Sequence, residues 1–178
     1  MLGFLTWGPM SGYDIKKTIE GSISNFWRES YGQIYPILKR IEAEGLATCS
    51  RRASEGGRDR NVYSITEAGR ADLQRWLGDE TPPPRLRNEL LLKLFFGRQG
   101  DPATLIGRLE EHRRDQLEAL ERYSQIRLEL EASASGQPDL PYWLMTLRYG
   151  ESEARALIDW CDETLSTLRE LAGAEGSA

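Results

Sequence analysis

Residues 31–65 restrict this chain more than any other stretch, because a helix pattern runs directly into two strand patterns. Ile34, Ile37, Leu38 and Ile41 recur at three- and four-residue spacing and so share one helix face, with Gly45 as the stop. The opposite face carries Gln33, Lys39 and Arg40, with Ser30, Tyr31 and Tyr35 toward the helix start. Pro36 leaves two geometries open: the helix starts near Tyr35 with proline in its first turn, or residues 31–35 form an earlier, bent turn. Residues 46–52 then read as a strand, Gly56-Gly57 as a turn, and the alternation of Val62, Tyr63, Ser64 and Ile65 as a second strand.

Taken alone, residues 31–46 need be no more than an amphipathic helix with a solvated basic face. Their neighbours add a function. Upstream, Ser11 and Asp14 form a weak capping box for a helix to about Glu20, with Tyr13, Ile15 and Ile19 inward and Lys16 and Lys17 exposed. Residues 21–28 form a turn in which Phe26 and Trp27 are expected to pack against the helix pair. Downstream, the hairpin carries Arg51, Arg52, Arg58 and Arg60. Helix, turn, helix and basic hairpin describe a winged helix-turn-helix, whose second helix enters the major groove of double-stranded DNA while the hairpin reaches the backbone or minor groove. The candidate contacts are Lys16, Lys17, Ser30, Tyr31, Gln33, Tyr35, Lys39 and the four hairpin arginines, of which Arg58 and Arg60 share one side by strand alternation.

Three strings carry a family resemblance: residues 8–15 (GPMSGYDI), Phe26-Trp27 with residues 31–36 (YGQIYP), and residues 62–69 (VYSITEAG). They resemble the PadR family of transcriptional regulators, and residues 89–97 (ELLLKLFFG) resemble the start of that family's virulence-activator-like C-terminal helical domain. The resemblance implies a dimeric DNA-binding regulator, usually a repressor released by a small ligand. Relative to that family, the apolar first helix at residues 1–7 is short.

The expected fold is mainly α with a small β-hairpin. A winged-helix domain at 1–78 and a Pro-rich linker at 79–85, built on Pro82-Pro83-Pro84, precede a helical dimerisation and effector-binding domain at 86–178. Residues 86–97 are apolar almost all round, which marks a buried helix placed to couple the domains. Asp101-Pro102 opens a helix to about Ala132, and a last helical stretch runs from Asp139 to about Leu171, with a possible break at Gly150. In it Leu144, Leu147, Leu157, Cys161, Leu165 and Leu168 recur at near-heptad spacing, as a dimer seam or as packing within the chain. Phe95, Phe96 and Trp143 are the candidate effector contacts, against the alternative that they fill core. A two-fold dimer of winged helices would read an approximate inverted repeat with half-sites roughly 34 Å apart.

Charge distribution fits that division. The chain carries a net −5, yet residues 1–75 hold eleven Lys and Arg against nine Asp and Glu, and the remainder twelve against nineteen. A mildly basic DNA-reading half predicts modest non-specific affinity. Other function classes find little footing. His112 is the sole histidine and has no nucleophile setting, Cys49 and Cys161 lack metal-ligand spacing, and no Gly-rich loop follows a strand. No cofactor, metal or catalytic residue is expected. No stretch approaches the roughly 20 apolar residues of a membrane span, so a cytoplasmic protein is expected. A winged-helix module that binds protein instead of DNA is the alternative.

Overall fold

The computed structural model describes residues 1–23, 26–27, 31–54, 57–83 and 87–175. The chain divides into two compact units, Met1–Pro83 and Pro84–Ala178.

In the first unit the order is α1 (Leu2–Leu5), β1 (Met10–Ser11), α2 (Gly12–Ser22), α3 (Tyr31–Ala43), β2 (Ala47–Ser54), β3 (Gly57–Ile65) and α4 (Glu67–Gly78). The hairpin gains a third strand. Met10 and Ser11 pair with Tyr63 and Val62, giving an antiparallel sheet in the order β1-β3-β2. Two residues ending in a helix cap carry no readable alternation, and only the pairing partner makes them a strand. Ser11 Oγ accepts the Asp14 N–H at 3.2 Å, while Asp14 Oδ2 accepts the Ser11 N–H at 2.9 Å and its hydroxyl at 2.7 Å. These bonds from Ser11 hold the Asp14 carboxyl below its ordinary range, with the positive charges of Arg60 and Lys17 adding to the effect. Ser11→Ala should therefore cost about 1 kcal/mol, read as a lowered denaturation midpoint. A carboxyl lowered on folding stabilises above its unfolded value, near pH 3.9. That contribution should vanish as pH falls through the lower folded value, and the wild-type advantage over Ser11→Ala should shrink to the part held by the bond from the Asp14 N–H to Ser11 Oγ, which does not titrate.

α3 is continuous from Tyr31, with Pro36 inside it. The proline leaves the Gly32 carbonyl without its helical N–H, and both residues are exposed, where water can serve that carbonyl. Ile34, Leu38 and Ile41 are buried with Phe4, Leu5, Ile15, Ile19, Ala47 and Tyr63 in one core. Gly45, at φ +72°, ends the helix in the left-handed conformation that glycine adopts without strain. Burial pushes the Tyr63 phenol above its usual range, and the Cys49 thiol opposite it on β2 adds to the shift. Phe26 and Trp27 depart from expectation: about half of each ring is exposed.

The second unit comprises α5 (Glu89–Phe95), a 3-10 turn (Gly97–Gln99), α6 (Pro102–Ser133) and α7 (Leu140–Glu175). Asp101 caps α6 through the N–H groups of Ala103 and Thr104. α6 and α7 form an antiparallel pair around Leu109, Cys161 and Leu165, flanked by Leu90, Leu94, Ile106, Trp160 and Leu168. Gly150 is buried and α7 passes through it unbroken. The expected burial of residues 86–97 on most sides is not met within this unit. Leu90 and Leu94 pack inward, but Leu92, Phe95 and Phe96 are mostly exposed.

Candidate nucleic-acid interface

Burial of Ile34 and Leu38 turns the other side of α3 outward, so Gln33, Tyr35, Lys39 and Arg40 share an exposed surface with Gly32 and Pro36. On α2, Lys17 is exposed, whereas Lys16 is half-buried and ion-paired to Glu20 at 3.3 Å. Lys16 is thereby partly neutralised, and Lys17 is the stronger phosphate candidate of the two. Ser30, the side chain of Tyr31 and the side chain of Arg58 lie outside the described residues.

The register of the hairpin reorders its arginines. Arg52 on β2 lies directly opposite Arg60 on β3, and Arg51 opposite Asn61. Partners in an antiparallel pair share a face. The inner face is set by Ala47, Cys49, Tyr63 and Ile65, which join the core, so Arg52 and Arg60 project from the outer face with Thr48, Ser50, Val62 and Ser64. Arg51 lies on the other face. The expected grouping of Arg58 with Arg60 falls on a side chain outside the described residues, and between Arg52 and Ser54 the register shifts by one residue. Ser54 pairs with Gly57, so Gly57 opens β3 instead of serving in the turn.

Two arginines set directly across a strand pair repel each other, an arrangement that destabilises a sheet. Both are exposed, and among the described residues neither enters an ion pair within 4.0 Å. A polyanion lying across the outer face would relieve that repulsion.

Other expected sites fare differently. Of the proposed dimer seam, Leu147, Cys161 and Leu165 are buried and Leu144, Leu157 and Leu168 half-buried. Cys161, Leu165 and Leu168 are covered by α6 and α5 of the same chain, so the heptad-like spacing there records packing within the chain. Burial raises the Cys161 thiol above its ordinary range and keeps it protonated. Phe95 is 81% exposed and Phe96 59%, in an edge-to-face pair at 5.0 Å. Trp143 is half-buried. His112 stacks edge-on against Trp160 at 6.4 Å. Among the described residues no cluster of three or more His, Cys, Asp or Glu is placed to hold a metal, and no helix is long and apolar enough to cross a membrane.

Comparison with known proteins matches residues 1–75 to the transcriptional regulator PadR-like family and residues 86–169 to the virulence activator alpha C-terminal family. The negative transcriptional regulator PadR of Bacillus subtilis (strain 168) is 25% identical over 173 residues, 94% of each chain. Its crystal structure in complex with operator DNA superposes with a TM-score of 0.82 at 24% identity, covering 94% of this chain and 95% of that one. Its complex with p-coumaric acid gives 0.74 at 25% identity, covering 94% and 92%. The Vibrio cholerae virulence activator AphA gives 0.76 at 29% identity, covering 96% of both chains.

Proposed function

The chain belongs to the PadR-like family of transcriptional regulators, and we propose that it reads double-stranded operator DNA as a homodimer in the cytoplasm and represses until a small molecule binds. α3 would enter the major groove, with Gln33, Tyr35 and Lys39 toward base edges, while Arg52 and Arg60 take the flanking phosphates and Lys17 supports them from α2. Ser30, Tyr31, Arg51 and Arg58 are further candidates.

The observation that carries this reading is the Arg52–Arg60 pair on the outer face of the hairpin. The B. subtilis relative supports it, since it has been crystallised both with operator DNA and with p-coumaric acid. Dimerisation is supported by Leu92, Phe95, Phe96, Tyr142, Met145 and Tyr149, apolar side chains that the second unit leaves exposed. In the α7 stripe, Cys161, Leu165 and Leu168 would act there by shaping the helix pair, and Leu144, Leu147 and Leu157 stay candidates for the seam. The relatives are regulators, and no catalytic role is proposed.

The test uses a duplex enriched by the wild-type protein from a random pool. Arg52→Ala/Arg60→Ala should weaken its binding and lower the slope of log affinity against log salt by about 2, roughly 0.9 for each phosphate no longer neutralised. A folded double variant with unchanged affinity and salt slope would remove the hairpin from the DNA interface and favour a protein-binding module.

A further inference from the structure

Gly12 opens α2 and is buried, yet its backbone has no need of glycine, since its φ lies outside the positive range. Alanine is the better helix former at such a position. What glycine provides here is the absence of a methyl group. A Cβ at residue 12 would stand 2.9 Å from Cε1 and 3.1 Å from Cζ of Tyr35, and 3.3 Å from Cδ1 of Leu38. We propose that Gly12 is a positioning residue for DNA reading: its bare α-carbon seats the Tyr35 ring against the start of α2 and so sets where that ring's exposed edge stands on α3. The inference rests on the operator-reading function given above.

Gly12 has little room to retreat. Immediately before it, Ser11 is paired with Val62 of β3 and tied to Asp14 through both its N–H and its hydroxyl. An added methyl group must therefore move its neighbours. Leu38 is fully buried among the core side chains and needs to yield only a few tenths of an ångström, whereas Tyr35 is 42% exposed and is the side chain that gives. Swinging the ring displaces the phenol, which a base edge or phosphate would meet only within hydrogen-bond tolerance. Gly12 thus acts on recognition through Tyr35 and needs no contact with DNA of its own.

Four proteins test this on the wild-type-enriched duplex and its shuffled counterpart: wild type, Gly12→Ala, Tyr35→Ala and the double variant. Gly12→Ala should lower the ratio of the two affinities about tenfold, within the range for removing one directional hydrogen bond to a base, with a nearly unchanged melting temperature. In the Tyr35→Ala background the same substitution should change nothing, a coupling that a merely structural role would not produce. Full discrimination in Gly12→Ala, or an equal loss with and without Tyr35, overturns the proposal while leaving operator reading intact. Should Gly12→Ala fail to fold, the double variant must fold, because the clash is gone; failure of both places the constraint at Leu38 and overturns it as well. A wild-type protein that enriches no sequence sinks the operator-reading function itself, and this role with it.

Discussion

Gly69→Ala should unfold the first unit at ambient temperature or bring it close, and abolish DNA binding with it. Gly69 sits in the first turn of α4, where a Cβ would run into the carbonyl oxygen of Leu46, with Leu46 C at 3.0 Å and Ile65 Cγ1 at 2.9 Å. The obstacle is backbone, and that backbone is tied down. The Leu46 carbonyl accepts the Thr66 N–H at 3.1 Å, Thr66 donates its hydroxyl to the Gly45 carbonyl at 2.8 Å, and the same hydroxyl accepts the Gly69 N–H at 3.1 Å. Relief of the clash must break this cap or displace β2 at its first residues. Overpacking of flexible side chains typically costs about 1–3 kcal/mol, and a clash with fixed backbone exceeds it. A loss of about 3 kcal/mol or more is a large part of the roughly 5–15 kcal/mol that holds a domain together. Gly78→Ala, in the same helix with open space around its Cα, is the control and should stay within about 1 kcal/mol of wild type. Equal melting curves for Gly69→Ala and wild type would show that the α3–α4 junction is softer than this hydrogen-bond knot implies.

That junction marks how far the sequence could be read. Periodicity placed Ile34, Leu38 and Ile41 on the buried face of α3 correctly, because a strongly amphipathic helix has only one way to pack. The Ser11 and Asp14 capping box was legible for the same kind of reason, being local chemistry at fixed spacing. Hairpin register was not. A Gly56-Gly57 turn would have set Arg60 opposite Ala53, and the observed pairing of Ser54 with Gly57, followed by a shift of one residue, sets it opposite Arg52. One residue of slip decides which arginines share a face. Spacing alone was equally blind to what covers an apolar stripe. Cys161 and Leu165 meet α6, while Phe95 in an apolar run stands in solvent. Gly12 and Gly69 stood in the sequence only as letters of the family strings, without a reason for glycine, since the nearest atoms that forbid a side chain there come from Tyr35 and Leu46, 23 residues away in each case.

Among the polar contacts of the second unit, one ion pair should matter most, Arg127 with Glu151. Arg127 Nε reaches Glu151 Oε1 at 3.0 Å and Nη2 reaches Oε2 at 2.8 Å, a two-point contact from α6 to α7. The Glu151 side chain is only 8% exposed and that of Arg127 28%, so the pair is shielded from water. Hydrogen bonding to Glu151 raises the Arg127 guanidinium above its ordinary value. Arg155 and Glu131 stand farther off, each 3.9 Å from the nearer partner, and make weaker contacts. Two other bridges between these helices, Arg113 to Asp162 and Arg169 to Glu110, have partners that are half-exposed and should matter little. Arg127→Leu leaves the nearly buried Glu151 carboxylate with only the more distant Arg155 beside it. The loss should be about 2–3 kcal/mol, the lower part of the range for a broken buried pair because Arg127 is not wholly enclosed. Arg127→Leu/Glu151→Leu removes the stranded charge and should regain most of that loss, since apolar replacement of a buried pair is often neutral. Denaturant midpoints of the full chain, with both single variants and the double, give the coupling directly. Additive losses in the double variant would mean that Arg127 and Glu151 act separately, and that the α6–α7 pair is held by its apolar seam alone.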